Sequence, residues 1–104
     1  MNLQKLMKEA QKAQKKAAEV QERLGQMTVK GSAGGGLVEV TATGHGQIVG
    51  LKLQAGAVDP SDLESLEDLL LVAIQDAQKK AQDLQEKEMG RELGGIGQML
   101  GGMF

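Results

Sequence analysis

The chain has 104 residues, with no cysteine, tryptophan or tyrosine, one phenylalanine and one histidine. That is the size of one domain; disulfides, thiol nucleophiles and cysteine metal sites are excluded, as is base stacking on aromatic platforms. The formal net charge of −2 conceals a split: residues 1–30 hold seven basic and three acidic residues, and residues 58–104 four basic and ten acidic, so a nucleic-acid partner stays open.

The first segment carries the most regular pattern. Leu3, Leu6, Ala10, Ala13, Ala17, Val20, Leu24 and Met27 follow an unbroken 3-4 spacing, which puts Leu3, Ala10, Ala17 and Leu24 at heptad position a and Leu6, Ala13, Val20 and Met27 at d. Gln, Lys and Glu fill the gaps, all good helix formers. The spacing predicts a helix over residues 2–25, about 36 Å long at 1.5 Å per residue, with Gly25 weakening its end. The alanine centre of the seam lets a partner helix approach closely but buries little area, so this helix needs a neighbour to persist.

The period then changes to two. Val38, Val40 and Ala42 alternate with Glu39, Thr41 and Thr43, and beyond Gly44-His45-Gly46 the residues Val49, Leu51 and Leu53 alternate with Gly50 and Lys52. Two such runs around a Gly-flanked turn predict an antiparallel hairpin whose aliphatic face must be covered. Thr28–Ser32 reads as a preceding strand, with Gly34-Gly35-Gly36 as its turn.

A second helix follows. Ser61-Asp62-Leu63-Glu64 fits a capping box behind Pro60, and Leu66, Leu70, Ala73, Ala77, Ala81 and Leu84 form its seam. Leu69, Leu71, Val72 and Ile74 broaden the first half, which is expected to cover the hairpin, and the stripe narrows after Ala77 to coiled-coil width. From Gly90 on, six of fifteen residues are glycine, so residues 1–89 are expected to form the single α/β domain and residues 90–104 a flexible tail. The predicted class is α+β, an α-β-β-β-α protomer with a small antiparallel sheet and two long projecting helices.

The first helix is longer than such a sheet is wide, since a seven-residue strand spans only about 23 Å. Its excess is expected to project and to pack antiparallel on the end of the second helix. A core this thin is also expected to pair with a copy of itself, giving a symmetric homodimer with a shared β body and helical arms.

Gly31-Ser32-Ala33-Gly34-Gly35-Gly36-Leu37-Val38-Glu39-Val40-Thr41, then Gly44, Leu66-Glu67-Asp68-Leu69 and Asp76-Ala77-Gln78-Lys79-Lys80-Ala81 resemble the YbaB/EbfC family of bacterial nucleoid-associated proteins. The likeness covers nearly the whole chain, though Gln75 stands where the family usually has Asn and the tail lacks the family's proline. The resemblance implies a tweezer-shaped homodimer that binds double-stranded DNA with little or modest sequence preference, in the cytoplasm at the nucleoid, where it shapes the nucleoid and influences gene expression.

The sharpest candidate site is a lysine stripe. Lys5, Lys8, Lys12 and Lys15 sit at heptad positions c and f, opposite the seam, with Lys16 beside them. Cations along one side of a rigid element suit phosphate contact, while the bland reading is a solvated helix face. Lys79, Lys80, Lys87 and Arg91 join them as DNA-contact candidates. Their acidic neighbours, in the i,i+4 pairs Asp76–Lys80, Lys79–Asp83 and Asp83–Lys87, argue equally for pairing within the helix. Arg91 is the member able to fork onto a phosphate, and Arg23 reads as an arm or dimer contact. Gly34-Gly35-Gly36 lacks the context of a phosphate-cradling loop; His45 reads as a turn residue. Nothing pairs a nucleophile with a base, spaces metal ligands or binds a cofactor, so no enzyme, cofactor, metal or small-molecule substrate is expected. No run of 18 apolar residues suggests a membrane. The competing reading is a coiled-coil protein-interaction adaptor without direct DNA binding.

Overall fold

A computed structural model describes residues 2–92. The order is α1 (Leu3–Gln26), β1 (Thr28–Ala33), β2 (Val38–Thr43), β3 (Ile48–Leu53), a 3-10 turn at Ala55–Ala57, and α2 (Leu63–Glu92). The α-β-β-β-α reading holds. α1 starts one residue later than its periodicity predicts because Asn2 is its cap: the Asn2 side chain accepts from the N–H groups of Gln4 and Lys5, at 3.1 and 3.4 Å. α2 continues through Gly90 to Glu92, and the rest of the expected tail lies outside the described residues.

The three strands form one antiparallel sheet in the order β1-β2-β3. Gly34, Gly35 and Gly36 turn β1 into β2 with φ of 64°, 66° and 94°, a left-handed path that side chains resist. A bulge at Thr41/Ala42 shifts the second pairing, so Ala42 lies opposite Ile48 rather than Val49. Strand alternation continues past the turn in the sequence, but the bulge resets which residue of β3 shares the core face.

α2 lies across β1 and β2. Val38, Val40 and Ala42 are fully buried against Ala33, Ala57, Ala73 and Ala77, with Leu66, Leu69, Leu70 and Ile74 packed around them. The alanines bring α2 close to β1, where the β1 residue opposite Val40 is Gly31. β3 is not covered. Leu51 and Leu53, across from Val40 and Val38, are 54% and 41% exposed. The hairpin's aliphatic face is thus half covered, because α2 packs chiefly on β1, the far edge of the sheet, and next on β2.

The expected capping box at Ser61 does not form. Asp62 caps α2, accepting from the Ser65 backbone N–H at 3.3 Å and the Ser65 hydroxyl at 2.6 Å. Ser61 instead gives both its donors to Asp59 in the preceding turn, at 2.9 and 2.7 Å. A carboxylate outcompetes a hydroxyl as acceptor for the helix N-terminus, and the bonds from Ser65 hold the Asp62 carboxyl below its usual pKa. Asp62→Ala is expected to lower the thermal midpoint by several degrees, and Ser61→Ala by clearly less, in paired melts followed by circular dichroism.

Candidate nucleic-acid interface

The molecule is elongated, 71 × 27 × 16 Å, because α1 leaves the sheet at its C-terminal end and runs outward. Only its last turns are covered: Val20 and Leu24 are fully buried, while Leu3, Leu6 and Met7 are 71%, 47% and 57% exposed. The same 3-4 seam is therefore core at one end and open at the other.

Lys5, Lys8, Lys12, Lys15 and Lys16 are all exposed on this outward segment. The buried side of α1 carries Val20 and Leu24, so the c and f positions face away from the body. Lys5 to Lys15 covers about 15 Å along the axis. Among the described residues no carboxylate forms an ion pair with any of the five. The body, residues 17–75, holds eight acidic and three basic residues, so the cations are concentrated on the arm.

The structure does not bring the α2 candidates to this stripe. α2 runs antiparallel to α1, with Lys80 beside β1, Gln85 beside Gly44, and Glu88 beside Arg23. Its described end therefore stops near the base of the arm rather than at Lys5–Lys16. Lys79 lies 4.0 Å from Asp83. Arg91 lies 3.5 Å from Glu88, and Lys87 is exposed on the same stretch.

Lys80 has a structural occupation. Its ammonium donates to the Lys30 carbonyl at 3.1 Å and to Asp76 at 3.1 Å, and Asp76 accepts the Ser32 N–H at 3.0 Å. Two side chains of α2 thus occupy backbone groups on the outer edge of β1 and block that edge against another strand. The Ser32 N–H first, then Lys80, holds the Asp76 carboxyl below its ordinary pKa.

Arg23 forms an arm contact. Its Nη2 donates to Glu88 Oε2 at 2.9 Å, while Arg91 approaches the other carboxylate oxygen. Glu88 is only 5% exposed; the bond from Arg23, reinforced by the charge of Arg91, outweighs burial and keeps its pKa low. Three contacts escape a reading of the sequence: Glu88 with Arg23, Asp76 with the Ser32 N–H, and the ring of His45, which sits 2.7 Å from the Gln21 carbonyl. Their partners are 24 to 65 residues apart, and no local pattern marks such pairs.

A model of the YbaB/EbfC DNA-binding family matches residues 1–96. The chain is 69% identical, over the full length of both, to nucleoid-associated protein TTHA1599 of Thermus thermophilus. It is 48% identical to a nucleoid-associated protein of Bacillus thuringiensis, across 99% of this chain and 94% of that one. The crystal structure of uncharacterized protein HP0035 from Helicobacter pylori has the same fold, with a TM-score of 0.77 at 22% identity, covering 89% of this chain and 98% of the other. Among the described residues no helix is long and apolar enough to cross a membrane.

Proposed function

This chain belongs to the YbaB/EbfC DNA-binding family, and from that premise we propose that it grips double-stranded DNA as a homodimer, through phosphate contacts made by the lysine-striped arms. The observation that carries this reading is the row Lys5, Lys8, Lys12, Lys15 and Lys16, exposed on one side of a helix that stands clear of an acidic body. Phosphate contacts fix register on the duplex without reading bases. No base-reading motif of known docking geometry accompanies them, which fits little or modest sequence preference, with DNA shape and arm spacing supplying what preference there is. A protein of this kind acts at the nucleoid, shaping it and influencing gene expression.

β3 supports the homodimer. Its outer edge has no strand beside it, and Ile48, Leu51 and Leu53 present an open apolar face, whereas the edge of β1 is already occupied by Asp76 and Lys80. An uncovered apolar strand at an unguarded edge is a surface for a second copy. Leu51→Glu is expected to halve the mass in sedimentation equilibrium while the helical circular dichroism persists. A dimer that survives the substitution removes β3 from the interface.

The exposed Leu3, Leu6 and Met7 favour a second reading, in which the arm is a coiled-coil docking element for another protein. Titrating a labelled duplex with protein at increasing salt separates the two. About six neutralised phosphates per dimer give a slope of log K against log salt near −5; a flat or absent response leaves the adaptor.

A further inference from the structure

α1 leaves the body through a small junction built from three parts of the chain. The β2–β3 turn closes over its end, with the Gly44 N–H donating to the carbonyls of Leu24 and Met27 at 3.0 and 2.9 Å. One turn further up the arm, the His45 ring Nε2 lies 2.7 Å from the Gln21 carbonyl. A carbonyl only accepts, so Nε2 carries the proton. On the other side, Gln85 donates to the Gly44 carbonyl at 2.6 Å, and Glu88 receives Arg23 at 2.9 Å.

Two of these ties do more than end a helix. Gln21 lies inside α1, where its carbonyl already belongs to the helical ladder. The His45 bond therefore adds nothing to the helix itself; it ties the helix to the turn. Glu88 has a cationic neighbour on its own helix in Arg91, so its bond to Arg23 serves to join two elements. The contacts enter α1 at neighbouring levels, residues 21 and 23, from the turn and from α2.

The arm is a lever about this junction. From Gln21 to Lys5 is sixteen residues, about 24 Å of helix, so a swing of about 10° at the base moves Lys5 by about 4 Å. A hydrogen bond to a phosphate tolerates a few tenths of an ångström. A row of lysines meets successive phosphates only if the direction of the arm is held.

We propose that His45 and Glu88 are arm-positioning residues: by holding Gln21 and Arg23 they fix the angle at which the lysine stripe leaves the sheet, so that duplex affinity depends on two side chains that touch no DNA. This inference rests on the stripe being the phosphate-binding face.

The test uses the full chain, whose lack of cysteine lets Gln11→Cys and Gln82→Cys carry a spin-label pair between the arm and α2. Labelled protein is diluted in unlabelled protein so that only distances within one chain are read. His45→Ala and, separately, Glu88→Gln are expected to broaden the distance distribution about twofold and to weaken duplex binding about tenfold, as expected when one or two phosphate contacts are lost. His45→Gln, which keeps an N–H near the position of Nε2, is expected to restore both width and affinity. An unchanged width in both variants overturns the proposal, as does a broadened width with affinity intact. A loss of affinity that Gln fails to rescue, with the width unchanged, marks a merely structural role and overturns it too. Failure of the unsubstituted protein to bind duplex overturns the phosphate reading and the functional half of the inference with it, while the distance measurement, which needs no DNA, still decides whether the arm is held.

Discussion

Charge reversal of Lys5, Lys8, Lys12 and Lys15 to glutamate is expected to abolish duplex binding while leaving the proposed dimer and the melting behaviour in place. The four lysines stand on the exposed side of α1, away from Val20 and Leu24, so no packing is lost. Glutamate near a helix N-terminus complements the macrodipole better than lysine does, and the new like-charge neighbours at i,i+4 cost only a few tenths of a kcal/mol. The loss on DNA is of another order. If about six phosphates are neutralised per dimer, removing those contacts takes the salt slope from near −5 toward zero and the affinity down by about a thousandfold or more at moderate salt. Fluorescence anisotropy on a labelled duplex, run beside sedimentation equilibrium, reads both quantities. The same reversal at Lys79 and Lys87 is expected to do much less, since Lys79 already faces Asp83 and neither residue lies on the outward arm. Retained duplex affinity in the fourfold variant would move the interface away from α1.

Gly31→Ala is expected to be strongly destabilising for a single added methyl. A Cβ at this position would sit 2.3 Å from the Ala77 nitrogen, 2.4 Å from the Ala73 carbonyl oxygen and 2.8 Å from the Ala77 Cα. All three are backbone atoms of α2, so no side chain can rotate away. The helix must lift from β1, which loosens Ala73 and Ala77 against Val38 and Val40. Overpacking of this kind costs about 3 kcal/mol, which in a domain of this size lowers the melting temperature by roughly 15 °C. Gly35→Ala is the informative control. Its Cβ would meet nothing, so its cost comes only from the positive φ of 66° and is expected near 1 kcal/mol. Differential scanning calorimetry of the two variants separates steric lift from backbone strain. A melting loss for Gly31→Ala no larger than that for Gly35→Ala would mean that α2 does not depend on this close approach.

Both expectations show where sequence and structure part company. The 3-4 spacing from Leu3 to Met27, the alternation from Val38 to Leu53 and the concentration of cations before residue 17 are patterns within one element. Periods of 3.6 and 2 follow from backbone geometry alone, so the helices, the hairpin and the lysine stripe were all legible before any contact was known. The resemblance carried by Gly31–Thr41 and Asp76–Ala81 pointed to the same family that the relatives show.

What remained hidden depends on which surfaces meet. Gly31 reads from the sequence as a residue of the first strand, and nothing in its neighbours shows that the α2 backbone lies against it. The run Ser61-Asp62-Leu63-Glu64 reads as a capping box on Ser61; only the path of the preceding turn, with Asp59 taking both donors of Ser61, hands the cap to Asp62. Leu51 and Val40 look alike in the strand pattern, yet one is 54% exposed and the other fully buried, because a single helix reaches only two of three strands. Lys80 stood open between phosphate contact and pairing with Asp76, and its bond to the Lys30 carbonyl on the edge of β1 has no local signature; His45 looked like a turn residue and reaches back 24 residues to the arm. Local periodicity is set by each residue's own backbone, and so a sequence carries it whole. The partner of an exposed face, a carboxylate or a ring is chosen by the global arrangement that buries the most apolar surface without stranding polar groups, and that arrangement exists only once the chain has folded.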